Sequence, residues 1–377
     1  MKNLYRPSLL LLLLLSAWLT ACHAATTAPT TAPPTPTATP FHPQTPTATL
    51  RPTATPSPTP TPTATPSPTP SPTPTPALTT LLFVGNIVPA RCVRAAADRR
   101  GEDRSIYADV APRIRQADYA MALLNTALTD RFPPTGCVHT YLLLGDPRHA
   151  QTMAWAGFDA VNVGTNHIKN GGDQAFLDTL QAIHQAGLPT VGGGENLEAA
   201  LQPLVVTFHG VRFAFVSLNA IEPHSFATKE RPGAAPLTPA TARQAIAAAH
   251  QQADVVIALP HWGPEYDFAP NYLQRRAARL LVEAGADIIV GNHPHVVQGH
   301  TVLQGVPVFY GLGNFVFDQT WSPETQQGAI LVLTFQGRHL IHYEYVPVHI
   351  DGDGTVHYAP PAEAAEILHH IEQSVKP

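Results

Sequence analysis

Residues 285–296 read GADIIVGNHPHV, and this stretch decides the fold class because it joins a helix end, a buried strand and a polar turn. Gly285 follows an amphipathic run and is the residue type that closes helices. The apolar run 287–291 is short and rich in β-branched residues, which is typical of a strand buried on both faces. Asn292-His293-Pro294-His295 follows the run at once, so side chains with ligand chemistry stand at the carboxyl end of a strand.

The same alternation runs outward through the rest of the chain. Short apolar runs predict strands at 80–85, 119–124, 158–163, 211–218, 254–260, 287–291 and 306–310. Longer amphipathic runs predict helices at 174–186, 239–252 and 272–284, with Asp173 and Thr238 as N-caps and Gly187 and Gly285 after two of the ends. Two alternating runs, 328–335 and 339–350, predict an antiparallel pair in a second sheet. We therefore expect an α/β domain of mixed sheets.

Polar residues follow the ends of five predicted strands. In open α/β sheets the carboxyl ends of the strands line one crevice, where ligands bind. The residues that we expect there are Asn86, Asn125, Asn166, His167, His261, Asn292, His293 and His295.

Histidines from separate strands indicate a site for a transition metal. Imidazole is the commonest nitrogen ligand of such metals, and His261, His293 and His295 suffice for one Zn²⁺-like ion with an open position for water. Each histidine alone is as readily explained by a structural hydrogen bond. We expect one or two divalent metal ions, which would be Zn, Mn or Fe.

Four stretches resemble the CapA family, whose members take part in bacterial capsule and poly-γ-glutamate synthesis. They are GFDAVNVGTNH (157–167), HWGPEY (261–266), GADIIVGNHPHV (285–296) and YGLGNFVFD (310–318). The resemblance runs from about Leu81 to Val348. It implies a metallophosphoesterase-like fold, a four-layer αββα sandwich, with two metal ions on the strand ends.

Three positions depart from the family pattern. The family usually has acidic residues where this chain has Asn86, Ala127 and Asn170. Two neighbouring cations need carboxylates to offset their repulsion, and an amide supplies none. We therefore expect weaker binding, or one ion, with Asn86, Asn125 and Asn166 as further ligands.

Other residues near the predicted site have two interpretations each. His167 is a candidate proton donor to a leaving group, with Asn166 beside it, or the pair fixes the loop before a helix. Glu265 orients His261 or is a rim charge. Asn314 faces the cleft or forms a turn, and Arg91 is a candidate substrate contact.

The amino terminus carries the features of an exported lipoprotein. Residues 1–21 have basic flanks and an apolar run too short for a permanent span, and LTAC (19–22) resembles a lipobox. Cys22 is then acylated and holds the chain on the membrane; the alternative is ordinary cleavage near Ala24. Residues 22–77 are rich in Thr and Pro and predict a disordered, extended stalk.

Composition limits the partners of the folded part. Three of the 22 basic residues and none of the 27 acidic residues lie before residue 78, so 19 basic face 27 acidic side chains after it. This balance argues against a nucleic-acid partner. Cys92 and Cys137, both in segments that read as polar loops, form a disulfide or remain two separate thiols.

The predicted organisation is a CapA-like domain at 78–358 and a helical tail at 359–377. The first functional hypothesis is an extracytoplasmic, lipid-tethered, metal-dependent hydrolase acting on an envelope polymer such as poly-γ-glutamate, alongside other capsule synthesis or export proteins. The second is a non-catalytic subunit that binds or guides the polymer. The third is an exported adhesin or scaffold.

Overall fold

A computed structural model describes residues 77–375. The predicted signal peptide, Cys22 and the stalk up to residue 76 lie outside these residues. Within the described part, no helix is both long enough and apolar enough to cross a membrane.

The strands are short to medium in length and alternate with helices. In chain order they are β1 (Leu78–Ile87), β2 (Tyr119–Leu124), β3 (Ala127–Leu128), β4 (Leu144–Gly145), β5 (Ala160–Asn162), β6 (Thr190–Val191), β7 (Gly193–Gly194), β8 (Leu204–Phe208), β9 (Val211–Asn219), β10 (Gly233–Ala234), β11 (Val255–His261), β12 (Ile288–Val290), β13 (Val297–Leu303), β14 (Val306–Leu312), β15 (Asn314–Val316), β16 (Gln327–Gln336), β17 (His339–Ile350) and β18 (Val356–Tyr358).

The helices lie mainly between the parallel strands. They are α1 (Arg91–Arg100), α2 (Ala111–Ile114), α3 (His149–Ala156), α4 (Gly172–Gln185), α5 (Leu197–Ala200), α6 (Pro239–His250), α7 (Tyr272–Ala284) and α8 (Pro361–Gln373). Short 3-10 helices cover Arg104–Tyr107, His167–Lys169, Pro223–Ser225 and Pro323–Gln326.

The first sheet has the strand order β18-β17-β16-β1-β2-β5-β6, and β15 also pairs with β1. β1 is parallel to β2 and antiparallel to β16, with Leu78 opposite Gln336. The predicted antiparallel carboxy-terminal pair is present as β16 and β17, and one of the two large sheets is built partly from it. The pair joins the sheet of β1, because the edge of β1 that β2 leaves open bonds to β16 from Leu78 to Phe83.

The second sheet has the order β13-β14-β12-β11-β9-β8. β9, β11, β12 and β14 run parallel, so their carboxyl ends meet at one edge, while β8 and β13 close the two sides in antiparallel pairing. The expected mixed sheets are therefore present, and each contains parallel and antiparallel pairs.

Side-chain alternation builds a four-layer sandwich. In β1, Leu81 and Phe83 belong to the core between the two sheets, whereas Leu82 and Val84 face the helices of the first layer. The residues that cover the outer faces are Val93 of α1, Met153 of α3 and Phe176 of α4 on the first sheet, and Ile246 of α6 and Leu281 of α7 on the second. The αββα class expected from the resemblance is thus the observed layering.

Two of the predicted helix ends follow capping chemistry, and one does not. Thr238 caps α6 through a capping box with Thr241, and Gly285 closes α7 in a left-handed conformation, as predicted. The prediction of Asp173 as a cap is wrong. α4 begins after Gly171, and Asp173 lies in the first turn, where its carboxylate pairs with Lys169 at 2.7 Å.

Two further segments complete the described chain. α8 packs through Ile367 and Ile371 against Val297 of β13. Cys92 and Cys137 form a disulfide. Cys92 is the second residue of α1 rather than part of a loop, so the bridge ties the loop around Cys137 to a helix.

Candidate functional site

The carboxyl ends of both sheets bring polar side chains from distant parts of the chain together. His261 is the last residue of β11 and forms a bridge with Asn292, which follows β12. The side chain of Asn292 donates to the carbonyl of Val84 in β1, which links the two sheets at this edge. The strand-end positions predicted from the sequence therefore lie on a shared rim.

Three of the predicted ligand atoms meet at the centre of the rim. Nε2 of His261 lies 3.0 Å from Oδ1 of Asn166 and 3.1 Å from Nδ1 of His293. All three residues are at most 3% exposed. Nδ1 of His261 is buried and has no hydrogen-bond partner within residues 77–375, so these residues leave one nitrogen of the imidazole unsatisfied.

Glu222 orients Asn166 and was missed from the sequence. Nδ2 of Asn166 donates to Oε2 of Glu222 at 3.2 Å, which turns Oδ1 of the amide towards His261. Glu222 lies shortly after the end of β9, so the strand-end rule that selected the other site residues also reaches it.

His295 lies beside this centre but has a different partner. Its ring centroid is 5.7 Å from that of His293, and its Nδ1 lies 2.8 Å from Oδ1 of Asn314. Nδ2 of Asn314 donates to carbonyl groups and to Gln319, so Oδ1 is the acceptor and His295 donates from Nδ1. Asn314 is a buried orienting residue of β15, not a turn residue.

Asn170 fixes the tautomer of His167. Oδ1 of Asn170 accepts the backbone N–H of Leu143 at 2.7 Å, so Nδ1 of His167, 3.1 Å from the same oxygen, must donate. Nε2 of the neutral ring then carries a lone pair. His167 in this form accepts a proton, and it donates one only after taking one up, which revises the predicted role. Asn125 accepts the backbone N–H of His167 and fixes the loop.

The side chain of Asn86 makes one structural hydrogen bond and has one unused acceptor. Its Nδ2 donates to the carbonyl of Gly313 at 3.1 Å, and its Oδ1 is buried without a partner among residues 77–375. Ala127 packs with Leu144 and Ala175 in an apolar cluster.

Burial keeps the site histidines neutral. Loss of solvent, with the neighbouring histidines adding to it, lowers the pKa of His261 and His293 well below the usual range. Burial likewise lowers the pKa of His295 to about 4, despite the bond to Asn314. The pKa of His167 is also lowered, mainly by burial. Lone pairs on these rings are therefore available at neutral pH.

Strained backbone concentrates at this rim. Within residues 77–375, seven non-glycine residues have a positive φ, and five of them surround the site: Arg91, Glu222, Tyr266, His293 and His295. Such conformations cost about 1–3 kcal/mol each and persist where the surrounding structure enforces them, which occurs most often at functional sites.

A cleft of about 190 Å³ opens beside His167 and His295. Arg91 lines it, pairs with Asp318 and donates to the carbonyl of Thr140 at 3.1 Å. Glu265 also lines the cleft and has no hydrogen bond to His261, so it is a rim charge rather than an orienting group.

The residues present fit one metal ion better than two. His261, His293 and Asn166 offer two imidazoles and an amide oxygen around one point, a donor set that suits a Zn²⁺-like ion. Nδ1 of His261 and Oδ1 of Asn86 have no hydrogen-bond partner within residues 77–375, so these two polar atoms are left for a bound group. Across residues 77–375, however, no group of three or more His, Cys, Asp or Glu side chains is arranged to hold a metal. The predicted set of three histidines stays a prediction: His295 donates from Nδ1 to Asn314, which leaves the lone pair of its Nε2, and its ring centroid lies 5.7 Å from that of His293.

Several solved structures show a weak likeness to this chain. The NAD nucleotidase NadN of Haemophilus influenzae aligns with a TM-score of 0.43 and 14% identity, over 80% of this chain and 64% of that one. At this TM-score the likeness adds nothing to what the sheets themselves show.

Sequence comparison gives a close relation. The family profile described as "Bacterial capsule synthesis protein PGA_cap" matches residues 80–319. The capsule biosynthesis protein CapA of Bacillus anthracis is 32% identical over 278 residues, which are 72% of this chain and 67% of that protein. The PGA biosynthesis protein CapA of Bacillus subtilis is 33% identical over 282 residues, 74% of this chain and 72% of that protein. The resemblance seen in the motifs is confirmed, and the chain belongs to the bacterial capsule synthesis protein family PGA_cap.

Proposed function

We propose that this chain is a membrane-tethered protein of capsule polymer synthesis that hydrolyses an envelope polymer in the cleft, with one divalent ion bound. Poly-γ-glutamate is the first polymer to test, because of the names of its relatives. The observation that supports the proposal most is the meeting of His261, His293 and Asn166 at one buried point beside the cleft.

Each residue has a role set by its bonds. His261, His293 and Asn166 would hold the ion, and Glu222 keeps the amide oxygen of Asn166 turned inward. A bound Zn, Mn or Fe ion supplies Lewis-acid polarisation of a carbonyl or phosphoryl oxygen. His167 accepts at Nε2 the proton that water loses as it attacks an amide carbon. It returns that proton to the nitrogen that leaves, so the ring ends as it began.

Metal content of the purified full chain tests the site. We expect elemental analysis to find about one Zn, Mn or Fe ion per chain. In His261→Gln and in His293→Gln the metal content should fall at least tenfold. His300→Gln is the matched control, because His300 is a histidine outside the site that bonds to Tyr343. A wild-type chain free of metal after purification with metal supplied contradicts the proposal.

Hydrolysis is tested by the chain length of the polymer. The wild-type chain should shorten poly-γ-glutamate on size-exclusion chromatography, and His167→Gln should slow this by about 10²–10⁴-fold, the range for loss of a general base. Retained metal in the same variant separates proton transfer from metal binding. Unchanged cleavage in His167→Gln removes His167 from the mechanism.

A second function is favoured because this chain has neutral residues at three positions where the family usually has acidic ones. Asn86, Ala127 and Asn170 leave the centre without the carboxylates that the family usually has at these positions, which suits a subunit that binds polymer without cleaving it. The double variant Asn86→Asp/Asn170→Asp discriminates the two. Metal binding and cleavage that appear only in this variant favour the binding subunit, whereas an active wild-type chain excludes it.

Membrane attachment through Cys22 is part of the proposal and rests on the lipobox-like sequence. More than one acyl chain on Cys22 would hold the protein durably on the outer side of the membrane. Labelled fatty acid should enter the full chain and not Cys22→Ser, and the variant should leave the membrane fraction. Equal labelling of both would disprove the anchor.

A further inference from the structure

An open groove separate from the cleft lies between α6 and α7, and the proposed hydrolysis uses none of its side chains. Its volume is about 430 Å³. Leu237 and Leu280 belong to its apolar lining, and among the described residues its charged side chains are Arg276, Arg279 and Glu283 of α7. We call this surface the α6–α7 groove. A recess that combines two cations with apolar side chains is a candidate binding site for an anionic ligand.

The α6–α7 groove begins at the same rim as the centre formed by His261, His293 and Asn166. Ala220 follows β9 and lines the groove, and its backbone N–H donates to the carbonyl of His261 at 2.9 Å. Pro239, the first residue of α6, lines the groove as well. A chain that occupies the groove therefore lies beside the proposed centre.

Arg276 and Arg279 are available to bind an anion. Both are exposed, and within the part of the chain that the structure describes neither forms an ion pair. The start of α7 is capped by its own side chains, because Asn271 and Gln274 form a capping box. The positive charge of the groove therefore comes from the two guanidinium groups. It is a local feature, since 19 basic face 27 acidic side chains after residue 77.

We propose that the α6–α7 groove is a second binding site for the polymer, which holds a polycarboxylate segment next to the part that lies at the centre. This rests on the proposed function, in which poly-γ-glutamate is the first polymer to test. Each unit of that polymer has one free carboxylate and two methylene groups. The guanidinium groups of Arg276 and Arg279 pair with carboxylates, and Leu237 and Leu280 offer apolar contact to the methylene groups.

The shape and the place of the groove favour a polymer chain over an anionic membrane surface. The two arginines line a recess, which a chain can enter and a bilayer surface cannot follow. Ala220 also connects this recess to the proposed centre through His261, and a polymer at the centre has to continue along the rim. Arginine is suited to the task because its planar guanidinium group matches the geometry of a carboxylate.

The test is the binding of a fluorescein-labelled γ-linked glutamate decamer to the full chain with metal supplied, measured by fluorescence anisotropy. All variants carry His167→Gln, so that the decamer stays intact. Adding Arg276→Gln/Arg279→Gln should weaken binding about tenfold, since two ion pairs are lost. Glu283→Gln should strengthen binding about twofold, because it removes a like charge from the groove. A gain in affinity cannot result from unfolding.

Arg99→Gln/Arg338→Gln is the matched control. It removes the same charge from two exposed arginines outside the groove, one in α1 and one in the turn between β16 and β17. Binding of the decamer should stay within about twofold of the parent. Matching circular dichroism shows that the variants are folded, since all four arginines are exposed.

Each other outcome overturns a defined part of the argument. Equal weakening in the two double variants overturns the groove, because net charge then explains it. Preference for an α-linked glutamate decamer, or for phosphatidylglycerol vesicles, assigns the arginines to an acidic peptide or a membrane and overturns the polymer site. Absence of decamer binding also overturns the polymer site, and the metal measurement described above then decides the proposed function. Arginine-dependent binding without any shortening of poly-γ-glutamate by the wild-type chain keeps the groove and overturns the hydrolysis.

Discussion

At the scale of single residues, Asn86 shows how a strand-end position combines structure with an unused ligand atom. Its Nδ2 bonds to the carbonyl of Gly313, and its buried Oδ1 has no hydrogen-bond partner among the described residues. An amide serves both demands because it has a donor and an acceptor. A carboxylate at this position has only acceptors.

Asn86→Asp should therefore destabilise the metal-free protein. A carboxylate oxygen facing the carbonyl of Gly313 leaves two buried acceptors together, at a cost of about 1–3 kcal/mol. Zn or Mn added to the variant should recover part of the loss, because a cation pairs with the new charge. Thermal unfolding in chelator and with metal measures both effects. Asn86→Ala is the control without charge, and a variant as stable as wild type in chelator contradicts the argument.

Asp103 is a buried acid outside the site that links stability to pH. Its Oδ2 lies 3.2 Å from Nδ1 of His149, and Thr152 donates to its Oδ1 at 2.5 Å. Burial opposes ionisation, but the bond and charge of His149 and the bond from Thr152 outweigh it, and the pKa of Asp103 falls from 3.8 to about 2. A depressed pKa in the folded state stabilises the protein above the unfolded value.

Asp103→Asn should remove this pH dependence. In the wild-type chain the contribution is complete above about pH 4 and is lost as the pH falls towards 2. The difference in unfolding free energy between wild type and variant should therefore become smaller as the pH falls from about 4 to about 2. Urea unfolding at half-unit steps from pH 2 to 5 measures the gap. A gap that stays constant shows that the ionisation of Asp103 does not stabilise the fold.

At the scale of elements, the disulfide joins α1 to the loop around Cys137, which forms part of the cleft wall. The bridge spans a sequence separation of 45 residues, and the loop around Cys137 carries His139 and Tyr141, which line the cleft. Closing a loop of this length stabilises a fold by about 2–4 kcal/mol, mainly by restricting the unfolded chain.

The double variant Cys92→Ser/Cys137→Ser should lose about 2–4 kcal/mol in urea unfolding. The loop around Cys137 should also become more susceptible to limited proteolysis. It loses the bridge and keeps the hydrogen bond from Arg91 to the carbonyl of Thr140. Reduced wild-type protein should match the variant, and reductant should not change the variant. An unchanged midpoint after reduction contradicts a stabilising role for the bridge.

Elements with a strong local pattern were predictable, and those without one were not. α7 was predicted at 272–284 because its apolar spacing is regular and Gly285 closes it. α1 was missed because Ala90 gives no capping side chain and the sequence RCVRAAADRR has no clear apolar face. β3, β4, β7 and β10 have two residues each, too few to show any period.

The site was predictable as a set of positions but not as a set of bonds. The strand-end rule brought His261, His293 and Asn166 to one rim. It could not show the bond between His295 and Asn314, or the positive φ of 110° at His293 and 62° at His295, because neither follows from residue type and spacing. The cleft residues His139, Tyr141 and Trp321 were missed because they lie in loops without periodicity.

At the scale of the whole molecule, one apolar layer holds the two sheets together. Phe335 of β16 packs edge to face on Phe213 of β9 with ring centroids 5.0 Å apart, and both rings are fully buried. Contacts of this kind join segments far apart in sequence, so the two sheets should unfold as one unit.

Phe335→Ala should cost about 3–5 kcal/mol and leave a single unfolding transition. Phe268→Ala is the control, because Phe268 is 41% exposed and should change stability by less than about 1 kcal/mol. Chemical unfolding followed by far-UV circular dichroism and by tryptophan fluorescence gives two probes. Two separate transitions in Phe335→Ala contradict joint unfolding of the sheets.

The position of β1 has a consequence for biosynthesis. The ribosome makes this strand at the beginning of the domain, yet its antiparallel neighbour β16 begins only at Gln327. At roughly 5–20 residues per second the nascent chain carries an apolar strand without that neighbour for tens of seconds. An open edge of this kind pairs readily with other chains, so the growing polypeptide is exposed to edge-to-edge association until Gln327–Gln336 has been made.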